Sequence, residues 1–158
     1  MLPVQVHLVL NHVPLTGLVF GLVFYTLGIK KSSEAELLTG ERIFVAMAMF
    51  SIPIAASGLR SAHALSAAHW LEASEVHLHK RAGILTLIVI IVLGILSGII
   101  LMRSRGGHKV RFVRLRRAIL VLAIVSFAMV LWTSRLGGEL RHTELRSGSQ
   151  TSSFSSHR

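Results

Sequence analysis

The sequence predicts an all-α integral membrane protein folded as a four-helix bundle, and two observations carry that reading. Its 158 residues are 52% hydrophobic, and the apolar residues fall in four long blocks instead of the periodic patterns of a soluble domain. The basic residues behind a formal charge of +10 sit mostly between those blocks. There the positive-inside rule and anionic lipid account for them better than nucleic acid does. One membrane domain over residues 1–146 is expected, with spans at about 3–28, 43–60, 75–102 and 118–136, and the lipid bilayer as partner. No cysteine is present, so disulfides, thiolate metal ligands and covalent c-type haem attachment are excluded. Any haem must be held non-covalently.

The first block, Pro3 to Gly28, would be about 39 Å long as a helix, enough to span with tilt. Lys30 and Lys31 end it. The N-terminus has no basic region and no small-residue cleavage site, so it reads as the start of a retained span and not as a signal peptide. His7 and Asn11 share one helical face, as do His12 and Thr16. Pro14 removes a backbone donor and predicts a bend beside His12. The second block runs from Ile43 to about Leu59, with Pro53 as a kink and Gly58 as a cap. The third, Ala82 to Met102, is the most apolar, and a helix capped by Ser74 would extend it back to Glu75. The fourth runs from Ala118 to Leu136, where Gly137-Gly138 predicts a stop. The Ser-rich tail from Ser147 to Arg158 is expected to be disordered and dispensable.

Orientation follows from counting cations. The connections after the first and third blocks carry ten, including Arg103, Arg105, Lys109, Arg111, Arg114, Arg116 and Arg117, which read as a lipid-facing anchor. By the positive-inside rule both termini face out of the cytoplasm, across the cytoplasmic (inner) membrane of the cell. Trp70 and Trp132 would then lie at the outer interface and Tyr25 at the inner one, as an aromatic belt.

Seven histidines gather at the outer end in this topology: His7, His12, His63, His69, His77, His79 and His142. On a helix over residues 69–79, His69, Glu72, Glu75 and His79 share about a third of the circumference, while His77 points elsewhere. Glu75, Glu72 or Glu144 would fix the second nitrogen of a ligating imidazole. His12 lies deep in an apolar span, a costly position without a partner, and reads as a ligand or proton carrier. Solvated loop positions account better for His63 and His77, and an interfacial anchor for His7. Gly17/Gly21 and Gly94/Gly98 are four apart and read as close helix approach or a dimer seam in preference to a porphyrin-shaped surface. Met47 and Met49 read as core residues in preference to axial ligands.

Asn11-His12-Val13-Pro14 and Leu136-Gly137-Gly138-Glu139-Leu140-Arg141-His142-Thr143-Glu144 together form a pattern. Over about residues 5–146 the chain resembles a family of small bacterial four-span membrane proteins. Their first helix carries Asn-His-x-Pro, a histidine heads the third, and Leu-Gly-Gly-x-x-Arg-His-x-Glu closes the chain. Members are described as cytochrome-like, which implies His12, His79 and His142 on one side of a bundle. The chain departs from the family at Lys80, where a glutamate is usual, and in its additional His63 and His69.

These features lead to a haem b-binding, cytochrome-like electron-transfer protein acting between a membrane quinol and a redox partner outside the cytoplasm. His12 and His79 are the first-choice ligand pair. His142 would cap the site, Arg141 would pair with a propionate, and Glu144 or Glu75 would support the ligands. The alternative is a transition-metal binding or transport protein using His12, His69, His79 and His142 with Glu72 and Glu75 to hold zinc, copper or iron. A third reading is a non-catalytic subunit of a larger membrane complex, and a homodimer is compatible with each. No nucleophile triad, phosphate loop or His-Glu-x-x-His appears, so a self-contained enzyme is not expected.

Overall fold

Among the described residues of the computed structural model four helices follow one another: α1 (His12–Lys31), α2 (Glu34–Ser66), α3 (Ala73–Arg105) and α4 (Val113–Arg141). The structure describes residue 10 and residues 12–66, 73–105 and 113–141, with side chains described for residues 10, 12–60, 77–104 and 113–138. Consecutive helices pack in turn and α4 closes on α1, which makes an up-down-up-down bundle. All four contain stretches long and apolar enough to cross a membrane. The 20 residues of α1 match a hydrocarbon core of about 30 Å.

The antiparallel order sorts the ends. The C-termini of α1 and α3 and the N-termini of α2 and α4 form a basic end, with exposed Lys30, Lys31, Arg42, Arg103, Arg114 and Arg117. At the other, histidine-bearing end lie Pro14, Gly58, His79 and Thr133. Between them the interior is filled by Leu18, Phe44, Ile90, Leu93, Ile100, Ile119, Ala123 and Val130. Phe20, Met49, Phe50, Ile95 and Val121 face outward, as a lipid-solvated bundle requires.

Glycines decide how closely the helices approach. A Cβ at Gly17 would strike Met47, one at Gly21 the Phe44 ring, and one at Gly94 the Ala48 side chain. All three therefore pack against α2 within one chain, by the small-residue contact that drives helix association in lipid. At Gly40 a Cβ would lie 3.0 Å from the Gly21 carbonyl oxygen and 3.1 Å from Tyr25. Met47 is buried in this seam, whereas Met49 is 68% exposed. The core position expected for Met49 is thus corrected, because it falls on the opposite face of α2.

The α1–α2 turn is a Schellman motif. Ser33 N–H donates to the Gly28 carbonyl at 2.9 Å and Ser32 N–H to the Ile29 carbonyl at 3.3 Å. Ser32 takes the left-handed position with φ 52°, where glycine is usual. From there α2 starts at Glu34, nine residues before the expected span at Ile43. Glu34 and Glu36 in its first turn complement the helix dipole, and Leu37 is buried against Gly28. Sequence that reads as a polar connection is therefore two turns of packed helix. Gly58 does not cap α2, which continues to Ser66, and α3 reaches back past Glu75 to Ala73, so that Ser74 lies inside the helix instead of capping it. The fourth helix also exceeds its expected limits, and Gly137-Gly138 lies inside it instead of ending it.

Candidate functional site

Near the histidine-bearing end all four helices line one cavity of about 140 Å³. Pro14 comes from α1, Ser51, Ile54 and Leu59 from α2, His79, Lys80, Gly83 and Thr86 from α3, and Val130 and Thr133 from α4. The wall is mostly apolar. Its polar floor is a hydroxyl pair, Thr86 Oγ1 and Thr133 Oγ1, 2.8 Å apart. Thr86 donates to the Ala82 carbonyl at 2.8 Å, which leaves Thr133 as the donor between them. Each hydroxyl is thereby satisfied without water, as apolar surroundings demand.

The imidazole of His79 is half-buried between α3 and α4. A Cβ at Gly137 would lie 3.0 Å from His79 Cε1 and 3.6 Å from Nδ1, so the glycine makes the space that the ring occupies. Gly83 follows one turn along the same face of α3. Among the described residues a Cβ there would meet only Thr133 Cγ2, at 4.0 Å, leaving a flat open wall beside the imidazole. Lys80 adds an exposed cation to the cavity lining.

His12 lies at the same end but is exposed, and it is not among the lining residues although Pro14 is. His12 carbonyl accepts from Thr16 Oγ1 at 3.0 Å. His77 is exposed, so it and His79 differ as helical spacing anticipates. Glu75, His63 and Arg141 are helical, but their side chains are outside the described set. His7, His69, Glu72, His142 and Glu144 lie outside the described residues altogether, as does the Ser-rich tail. Among the described residues no three His, Asp or Glu side chains form a metal-ligating group.

Compared with models of protein families, with curated proteins and with solved structures, the chain matches none.

A second polar cluster, at the basic end, was not anticipated. Arg116 on α4 donates from Nη1 to Glu34 Oε2 at 2.8 Å and from Nη2 to Glu34 Oε1. Its Nε reaches Glu41 Oε1 at 3.4 Å. Glu34 and Glu41 are seven residues apart on α2 and so share a face. Tyr25 on α1 donates its hydroxyl to the Arg116 carbonyl at 3.1 Å, and its ring packs on Phe44 with centroids 5.7 Å apart. Tyr25 is completely buried, which corrects its expected place in an interfacial aromatic belt. Arg116 is likewise drawn out of the expected lipid-facing anchor, because two carboxylates and a helix-closing hydroxyl hold it inward. Arg114 and Arg117 beside it remain exposed.

Proposed function

We propose that this four-helix membrane protein binds haem b at its histidine-bearing end and transfers electrons, with His79 as an axial ligand. The observation that carries the reading is His79 on the cavity wall, with the bare backbone of Gly83 one turn away and apolar side chains around both. A flat apolar macrocycle edge with an imidazole to its metal fits that surface. The cavity is smaller than the roughly 300–1,000 Å³ of drug-sized ligand sites, so it would take only one edge of the group. Lys80 at the cavity supplies a cation for a propionate, in addition to the Arg141 assigned from sequence. His12 or His142 would be the second ligand, with Glu75 or Glu144 behind the imidazoles. Bound haem supplies a one-electron couple, and the apolar wall keeps water from it.

The positive-inside rule places the basic end in the cytoplasm, so the haem end would face a redox partner on the other side, with quinol supplied by the bilayer. Oxidised and reduced spectra of detergent-purified protein test the reading. A b-type spectrum is expected in the parent and in His77→Ala, and its loss in His79→Ala while the protein still inserts. His12→Ala and His142→Ala then identify the second ligand. A parent without haem absorption but with a stoichiometric metal would replace this reading with the transition-metal one.

A further inference from the structure

The Glu41 carboxyl has no exposed surface, about two turns from the N-terminus of α2. Arg116 is its ion-pair partner, but the two Nη groups of that guanidinium are spent on Glu34, and only Nε is directed to Glu41, at 3.4 Å. Oε2 of Glu41 has no hydrogen-bond partner among the described residues. Tyr25 gives its hydroxyl proton to the Arg116 carbonyl, so it does not serve that oxygen. The charged and titratable groups around Glu41 are thus Glu34 on its own helix, Arg116 on α4 and Tyr25 on α1. Arg103, near the end of α3, is exposed.

One guanidinium shared by two carboxylates leaves a net charge of minus one, and the burial of Glu41 makes that unbalanced charge costly. A buried carboxyl with an unpartnered oxygen is a position where a proton can supply the missing partner. We propose that Glu41 is a proton-binding site in the bundle interior, taking up a proton on Oε2 from the aqueous phase at the basic end and returning it there. The step adds one proton to an oxygen lone pair, forms one O–H bond and changes the charge of the cluster from minus one to zero. No redox change accompanies it. In the protonated state Arg116 belongs to Glu34, the pairing seen here, and in the deprotonated state its attraction to Glu41 grows. Exposed Glu34, with 58% of its side chain accessible, puts the cluster within reach of water. The inference is independent of haem, which would lie at the other end of the bundle.

Infrared difference spectroscopy of the full chain in lipid bilayers, stepped in pH between mildly acidic and alkaline, tests it. A carboxylic-acid carbonyl band should appear and vanish reversibly, shift its midpoint to lower pH in Glu34→Gln, where Arg116 is left to Glu41 alone, and be lost in Glu41→Gln. Should Glu41→Gln not insert, Glu41→Asp decides: a displaced band supports the site. A wild-type protein without such a band, a band that survives Glu41→Gln, or one unmoved in Glu41→Asp overturns it.

Discussion

The His79 ring rests on Gly137, in the space a side chain at that position would fill. The histidine at the head of α3 and the Gly-Gly pair near the end of α4 are therefore one packing unit, although 58 residues of sequence separate His79 from Gly137.

That contact makes the two adjacent glycines unequal. Gly137→Val would push its methyls into the imidazole and is expected to destabilise the bundle by about 1–3 kcal/mol, the usual cost of overpacking. Among the described residues nothing lies within 4 Å of a Cβ at Gly138. Gly138→Ala should therefore gain up to about 1 kcal/mol from helix propensity. Thermal unfolding of both variants in one detergent checks the difference, and equal effects would mean that His79 does not occupy this space.

At the basic end the prediction concerns Arg116. Arg116→Met leaves the Glu41 carboxylate buried without its partner and should cost about 3–5 kcal/mol. Glu34→Gln should cost no more than about 1 kcal/mol, because its pair lies partly in solvent. The double variant Arg116→Met, Glu41→Gln should recover most of the loss, since apolar or neutral replacement of a buried pair is often tolerated. Denaturant unfolding of the three variants reads the pattern directly. A double variant no more stable than Arg116→Met alone would place the role of Arg116 outside the pair.

The bundle was legible in the sequence because lipid demands long apolar segments, and length alone identifies them. The charged layer was not. Glu34 and Glu41 flank a stretch whose polarity reads as a connection, and only their seven-residue spacing with Leu37 between them signals a helix face. Arg116 is indistinguishable by composition from Arg114 and Arg117, and it is Glu34, Glu41 and Tyr25 on other helices that single it out. Gly137-Gly138 was misread for a related reason: glycine serves equally as a helix stop and as room for a neighbour, and the neighbour here is on another helix. His79 was correctly placed inside α3, since its position follows from local helix spacing. Its distance from His12 does not, because tertiary packing sets it.

Sidedness is open to a direct test. With ten cations in the connections after the first and third spans, the basic end should stay in the cytoplasm. Reporter fusions after Lys31 and Arg105 should give cytoplasmic signals, and one after Arg146 an external signal. The opposite set would put the His79 cavity on the cytoplasmic side and remove the external redox partner from the proposed function.

Two further glycines separate packing from a surface left bare for a ligand. Gly94 and Gly98 lie four apart on α3, and sequence alone treats them alike. In the bundle a Cβ at Gly94 would collide with the Ala48 side chain, a methyl fixed to the α2 backbone that has no rotamer by which to withdraw. At Gly98 the nearest atom would be Val45 Cγ2 at 3.8 Å, an ordinary contact. Gly94→Ala must move α3 away from α2 and should lose about 1–3 kcal/mol, whereas Gly98→Ala should be neutral or gain up to about 1 kcal/mol by lowering the entropy cost of helix formation. Both variants should leave any spectrum of a bound cofactor unchanged, because neither glycine lines the His79 cavity. Thermal unfolding alongside absorption separates the cases: loss of cofactor in Gly94→Ala with stability unchanged would make this glycine part of a binding surface instead of a helix contact.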